Sequence, residues 1–317
     1  MAEGFLEQVK GSTPEEVADN YLVELVFGNL LQVVERNEFG RPKIFKMHDL
    51  LRELALSISE KEKFGVVHDV GEEMKVCKAH RLSIHKTNGE VKSFMGRLLN
   101  LQTLNIIGTK IETIPRGVGK LQNLRNLFMF RYTRNWNDFR YFVGMQPPSN
   151  IVQLKNLSSL CCIEANNDVK RKMQSMTQLT SFAISNVKAT DEMDLCIAIQ
   201  NMSLLTVLTI LVANEEETLR MDALSSPPPN IQKLSLTGKL EKVPQWFCSL
   251  QRLTFLYLHW SRLDEDLLPQ IAALPNLRRL KLINGYVGKR LCFSIAMKHG
   301  CVSRLGCGCG TRQFLKK

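Results

Sequence analysis

Nine times between residues 76 and 282 the chain returns to one apolar frame. An apolar residue, two variable positions and a second apolar residue are followed by two more variable positions. Two apolar residues flanking a single variable one then complete the frame. It reads Leu98, Leu101, Leu104, Ile106; Leu121, Leu124, Leu127, Met129; Leu154, Leu157, Leu160, Cys162; and Met176, Leu179, Phe182, Ile184. It continues as Met202, Leu205, Leu208, Ile210; Pro228, Ile231, Leu234, Leu236; Leu250, Leu253, Leu256, Leu258; and Leu274, Leu277, Leu280, Leu282, with a degenerate first copy at Val76, Ala79, Leu82, Ile84. Successive copies start 22, 23, 33, 22, 26, 26, 22 and 24 residues apart. A unit this short cannot bury its own apolar face, so it must stack against its neighbours.

All but one of these spacings fall in the roughly 20–29-residue window of leucine-rich repeats, in which each repeat supplies one short strand. The frame therefore predicts an α/β fold: an open solenoid, or horseshoe, of about nine repeats over residues 76–293, with an extended concave surface. Side chains alternate across a strand, so the variable residues beside the last two apolar positions point to that surface. In one repeat these are Phe128, Phe130 and Arg131; in another, Phe255, Tyr257, His259 and Trp260; in the last, Arg279, Lys281 and Ile283. Large aromatics and arginine dominate protein-binding hot spots, which makes Phe128, Phe130, Arg131, Phe255, Tyr257, His259, Trp260, Arg279 and Lys281 the candidate protein-binding residues. The alternative for such aromatics is packing under a loop or against another domain. The 33-residue repeat carries an insertion from Arg131 through Trp136 to Pro148; insertions of this kind map to loops on one face that often bind, and a disordered segment is the equal alternative.

Residues 1–75 stand outside the frame and differ in charge. Residues 1–74 carry 8 Lys/Arg against 15 Asp/Glu, a net of −7, whereas the remainder carries 34 against 16, a net of +18. Thr13 reads as an N-cap, Pro14 as the first helical residue and Glu16 as the closing residue of a capping box. Val17, Tyr21, Leu22 and Leu25 mark an apolar face. Two strands follow, Leu31–Glu35 and Ile44–Met47, joined by a turn at Asn37–Gly40. A helix then opens with Asp49 as its expected N-cap and Leu50, Leu51, Leu54, Ala55 and Ile58 as its buried face. This layout of helix, two-stranded wing and helix predicts a small winged-helix unit. DNA reading by that unit is disfavoured, because its last helix sets Arg52, Lys61 and Lys63 against Asp49, Glu53, Glu60 and Glu62.

Ala2-Glu3-Gly4-Phe5, Leu22 to Leu31, Gln32-Val33-Val34-Glu35-Arg36 and Met47-His48-Asp49-Leu50-Leu51-Arg52-Glu53-Leu54-Ala55 occur in this order. Arg81-Leu82-Ser83-Ile84 and the run Ile114-Pro115-Arg116-Gly117-Val118-Gly119-Lys120-Leu121-Gln122-Asn123-Leu124 follow them. Over about residues 1–290 the chain resembles the plant intracellular immune receptors, the nucleotide-binding leucine-rich-repeat disease-resistance proteins of the coiled-coil class. The resemblance implies that His48 touches an ADP phosphate and that Asp49 supports the local geometry, in a full-length receptor only. The sequence contains no Gly-x-x-x-x-Gly-Lys-Ser/Thr phosphate loop, so no cofactor is expected for this chain itself; ADP or ATP belongs to the longer receptor. The expected function is that of an immune receptor, or a truncated form of one, in plant defence. Protein recognition or autoinhibition would act through the concave face. The partner would be a pathogen effector, a guarded host protein or the receptor's own missing domains. The competing reading is a stand-alone repeat adaptor binding a protein outside immunity; a nucleic-acid regulator using the basic half ranks below both.

No nucleophile elbow, His-Glu-x-x-His helix or phosphate loop is present, so no enzyme activity is expected. Met1-Ala2-Glu3-Gly4 is polar and no apolar run follows it, which predicts no secretory signal and a cytoplasmic location, with membrane association through partners as the variant reading. The longest apolar stretch, Leu204 to Ala213, is far short of the ~18 residues that a transmembrane segment needs. Among nine cysteines, Cys161, Cys162 and Cys248 read as core or near-core residues of a reducing compartment. The irregular tail, residues 294–317, is Cys- and Gly-rich and basic; the spacing of Cys292, His299, Cys301, Cys307 and Cys309 does not fit a paired zinc site, and no metal is expected.

Overall fold

The computed structural model describes residues 11, 14–36, 42–68, 79–84, 93–132, 138–166, 171–263, 270–271, 273–287 and 305–306. The chain forms two compact units, Met1–Val66 and Val67–Lys317.

The first unit is built as α1 (Pro14–Phe27), β1 (Gln32–Arg36), β2 (Pro42–Lys46) and α2 (Asp49–Lys61), with β1 and β2 antiparallel. Pro14 opens α1 as expected, while Thr13 and the Asn37–Gly40 turn lie outside the described residues. Both helices end in the same way, with a non-glycine residue in the left-handed region: Asn29 at φ 54° and Lys63 at φ 55°. After α1, Leu30 N–H donates to Leu25 C=O and Asn29 N–H to Val26 C=O; after α2, Phe64 donates to Ser59 and Lys63 to Glu60. This paired closure satisfies carbonyls that the last helical turn leaves open.

Two expectations for α2 fail. Its N-cap is His48, not Asp49: His48 has extended dihedrals, and its side chain accepts from Leu50 N–H. Asp49 is instead the first helical residue, where its charge complements the helix dipole. The expected buried face is also open. Leu50, Leu54 and Ile58 are 71%, 56% and 51% exposed, and no residue of α2 is buried. The apolar stripe is real in sequence, but nothing among the described residues covers it. In α1, Val17 is buried whereas Tyr21 and Leu25 are exposed, so that face is only half covered.

The second unit is dominated by one sheet of eleven strands, ordered β15-β14-β13-β12-β11-β10-β9-β6-β5-β4-β3. In chain order they are β3 (Gly65–His68), β4 (Arg81–Ile84), β5 (Thr103–Asn105), β6 (Asn126–Phe128), β9 (Ser159–Glu164) and β10 (Ser181–Val187). Then come β11 (Val207–Val212), β12 (Lys233–Thr237), β13 (Phe255–His259), β14 (Arg279–Ile283) and β15 (Leu305–Gly306). A separate pair, β7 (Arg131–Tyr132) and β8 (Phe142–Val143), is antiparallel. The frame's third position forms an unbroken ladder in parallel register through Leu82, Leu104, Leu127, Leu160, Phe182, Leu208, Leu234, Leu256 and Leu280. Every one of these side chains is buried. At roughly 1.5–3 kcal/mol for each large aliphatic side chain removed from water, the ladder is the core of the unit.

Between strands the chain returns through short turns such as Arg116–Lys120 and Gln245–Ser249, or through the helix Glu192–Gln200 in a 26-residue repeat. Asparagine stitches these returns together. Asn123 Nδ2 donates to Leu99 C=O at 2.9 Å, Asn156 to Gln122 at 2.9 Å, Asn230 to Ser203 at 3.3 Å and Asn276 to Gln251 at 2.6 Å. Each precedes the second apolar position of its frame and reaches back one repeat. Cys161 and Cys162 are half-buried and buried, but Cys248 is exposed, contrary to expectation: its Sγ contacts Gln245 C=O on the outside of a turn. In the tail, Leu305–Gly306 adds a short parallel strand against Leu282–Ile283, which the leucine frame does not foretell. Val76, Cys292, His299, Cys301, Cys307 and Cys309 lie outside the described residues.

Candidate recognition face

The variable residues of β12, β13 and β14 align in three lanes set by strand register. The first is Lys233, Phe255 and Arg279; the second Ser235, Tyr257 and Lys281; the third Thr237, His259 and Ile283. Cations sit over rings along two of them: the Arg279 guanidinium lies 5.8 Å from the Phe255 ring and the Lys281 ammonium 4.8 Å from that of Tyr257. Such contacts strengthen when shielded from water. Phe255, Lys281 and Trp260 are half-buried, and Arg279 is exposed.

Tyr257 and His259, expected on the open face, are buried instead, with His259 at 0% exposure. They lie under the insertion of the long repeat, which crosses the C-terminal ends of the strands. Tyr141 packs edge-on against His259, ring centroids 4.6 Å apart, and against Tyr257 at 6.2 Å; Phe139 packs edge-on against Trp260 at 5.9 Å. Arg140 Nη2 donates to Ala213 C=O at 3.2 Å, and Gly144 N–H to Ser185 Oγ at 3.0 Å. Trp260, at φ 56°, turns the chain out of β13 toward this contact. Phe130 and Arg131 likewise belong to the insertion's root and not to the strand lanes. Phe130 contacts Tyr132 and Phe142, while Arg131 pairs with Val143 across β7 and β8 and bridges to Glu112 at 2.8 Å. Phe128 stays in its lane, half-buried between Asn105 and Cys161 in register.

Gly144 sets how closely the insertion approaches. A Cβ there would collide with Ser185 Oγ and come within 2.8 Å of the Ile163 carbonyl carbon and 2.9 Å of Cys162 O. Only glycine permits backbone this near the sheet. Cys162, at φ 64°, shifts the register of β9 beside the same spot. The aromatic run Phe139, Tyr141 and Phe142 ending in Gly144 is the signal in the sequence that marks this part of the insertion as a cover.

Burial shapes the chemistry beneath. Desolvation, with Lys281 nearby, holds the His259 imidazole down to about 4, so it is neutral at physiological pH. Both its ring nitrogens, and Ser261 Oγ, lack hydrogen-bond partners among the described residues. Tyr257 is pushed up to about 12 by burial, and Tyr141 beyond the ordinary phenol range by burial and then by Tyr257. Burial likewise pushes the Cys161 thiol up to about 11, leaving it unreactive at neutral pH. An unpaired buried polar group costs about 1–3 kcal/mol, while an aromatic pair returns about 0.5–1.5 kcal/mol. The unsatisfied nitrogens of His259 therefore offset part of what the aromatic pairs and the hydrogen bonds of Arg140, Tyr141 and Gly144 contribute to this closure.

His48 and Asp49 are both exposed. The His48 Nδ1 accepts from Leu50 N–H at 3.4 Å. No groups among the described residues enclose His48 and Asp49, so these two residues do not by themselves fit a nucleotide site. Among the described residues no three His, Cys, Asp or Glu side chains gather as metal ligands would, and no helix is long and apolar enough to cross a membrane.

Comparison with known proteins decides the family. Residues 44–309 match a leucine-rich repeat region model, and residues 1–55 match the winged helix domain of disease resistance proteins. Disease resistance protein RPM1 of Arabidopsis thaliana is 34% identical across 93% of this chain and 40% of its own length. This chain belongs to the plant disease resistance protein family. Another relative in that family, the putative disease resistance protein At1g50180 of the same plant, is 27% identical over 93% of this chain and 38% of itself. The rice disease resistance protein PIK6-NP is 22% identical over 87% and 37%. The chain thus spans about two fifths of the length of the curated relatives it matches. Among solved structures, that of a TDR receptor aligns with 66% of this chain and 35% of its own at a TM-score of 0.48 and 21% identity.

Proposed function

We propose that this chain is the winged-helix and repeat portion of a plant intracellular immune receptor, and that it recognises a protein partner on the β12–β14 face. The observation that carries the reading is the ordered cation–aromatic patch of Phe255, Arg279 and Lys281, on a chain 34% identical to a resistance protein over 93% of its length. Hot-spot residues of this type bury much area at modest entropic cost. The partner is a pathogen effector, a guarded host protein or another domain of the same receptor. In this reading the chain works in the cytoplasm, performs no catalysis and holds no cofactor of its own. His48 meets a nucleotide phosphate only within a longer receptor.

The test is made in the plant that carries the gene. Phe255→Glu, Arg279→Glu and Lys281→Glu are introduced together at the native locus, and pathogen-triggered ion leakage is followed with immunoblots of protein level. The expected result is loss of the response at unchanged abundance. An undiminished response at equal abundance overturns the assignment of the face.

A further inference from the structure

We propose that Asp138–Gly144 is a displaceable strap over a concealed part of the recognition face, and that an acidic, hydrogen-bonding peptide segment binds by lifting it. This rests on the reading of β12–β14 as a recognition face and adds to it both an internal occupant and the chemistry of the partner. Three independent observations meet here. The strap is held by edge-on ring contacts of Tyr141 and Phe139 and by hydrogen bonds that include Arg140 to Ala213, Gly144 to Ser185 and those of the Tyr141 side chain with Thr237, Tyr257 and Ser235. It covers His259, whose two ring nitrogens have no partner among the described residues despite complete burial. Its uncovered border carries Lys233 and Arg279, in register on either side of Phe255, with Lys281 in the next lane.

A cover that seals an unsatisfied imidazole is a poorer ligand for that site than one that hydrogen-bonds to it. A neutral imidazole offers one donor and one acceptor, so a peptide amide and a carboxylate together satisfy both. The lysine and arginine border selects acidic residues flanking that contact, and the net +18 beyond residue 74 favours approach of an acidic partner. While the strap is down, only the fraction of molecules with it raised can bind, which lowers apparent affinity by that fraction.

The test needs no known partner in its first arm. Diethylpyrocarbonate modifies accessible imidazoles, and mass spectrometry reads each histidine; exposed His48 and His80 serve as references within the same molecule. In the unaltered chain His259 is expected to react at least about tenfold more slowly than His48, because reaction waits on local opening. Phe139→Ser with Tyr141→Ser should remove that protection while the circular dichroism of the sheet is retained. Gly144→Val, which forces the strap off Ser185 without touching its aromatics, is the second route to the same state. In the second arm, fluorescein-labelled decaglutamate is the probe, followed by anisotropy. The strap-released forms should bind it roughly tenfold more tightly than the unaltered chain. Arg279→Glu with Lys281→Glu should erase that gain. His259 reacting as fast as His48 in the unaltered chain, or staying protected in both released forms, overturns the strap. Equal decaglutamate affinity with and without the strap overturns the partner chemistry. Since the first arm involves no immune response, loss of the strap and loss of the recognition function are read separately.

Discussion

Leu234 and Leu54 are the same residue on the same kind of apolar stripe, yet Leu234 is wholly buried and Leu54 is 56% exposed. The difference lies in where the covering atoms come from. In the solenoid each strand is followed, some twenty-odd residues later, by another bearing the same frame, so Leu234 meets Leu208 and Leu256 in register. The repeat supplies its own partner. Helix α2 carries the pattern without the repetition, and its apolar face waits for atoms that the described residues do not provide. Pattern predicts that a face is apolar; only topology determines whether it is buried.

The sharpest way to break this comparison is to truncate both residues. Leu234→Ala should destabilise the repeat unit by about 2–5 kcal/mol, because the rigid ladder cannot collapse into the cavity. Leu54→Ala should stay within about 0.5 kcal/mol, as an exposed substitution away from any packed contact. Urea unfolding of the two variants checks both values. Equal losses would mean that α2 is packed in solution and that the contrast is false.

A second test uses acid, and it separates the covered histidine from the exposed one. His259 has its folded-state pKa lowered from 6.5 to about 4, chiefly by desolvation. The unfolded chain therefore binds the extra proton first, and stability rises with pH across the interval between those values. The neutral-His259 contribution is present above about pH 6.5 and is lost as pH falls toward 4, with a size on the order of 3 kcal/mol. Thermal melts from pH 7 to pH 4 should show that loss, and His259→Phe should flatten the profile between pH 6.5 and 4. An unchanged slope in that variant would show that the imidazole is not buried.

The leucine positions, their strands and their parallel order were legible because an apolar residue every two or three positions has one economical solution once the unit recurs. The winged layout was legible from Pro14 and the two β-rich runs that follow its helix. Three things were not. The asparagines of the return turns sit at positions the frame treats as variable, although their amides bond to carbonyls one repeat away. Replacing Asn156 with Ala, which leaves the Gln122 carbonyl without that donor, should cost about 1 kcal/mol in urea unfolding. No loss there would return the asparagines to the status of ordinary surface residues. The strap was hidden for a different reason: Tyr141 and His259 lie 118 residues apart, and nothing local to either announces the other. Of the nine residues expected on the recognition face, Tyr257 and His259 were assigned to the correct lanes but missed as covered, whereas Phe130 and Arg131 root the cover itself.

The smallest expected effect comes from the junction where the helix rule failed. Asp is among the preferred N-caps and His is not, so the sequence favoured Asp49 as the cap. The structure places the boundary one residue earlier, with His48 extended at ψ 141° and Asp49 already helical. A 3.4 Å contact from Leu50 N–H is long, so the cap is weak and His48→Ala should cost only about 0.5 kcal/mol. His48→Asn should recover that loss or exceed it by a few tenths of a kcal/mol, since its shorter side chain is a better cap acceptor. Asp49→Asn, which keeps the shape and removes the charge, should cost about 0.3–1 kcal/mol at low ionic strength and less in salt. Helix content of the winged unit by circular dichroism, in low and high salt, separates these contributions. If Asp49→Asn were salt-insensitive while His48→Ala were neutral, Asp49 would be capping through its side chain after all, and the boundary read from the sequence would be the correct one.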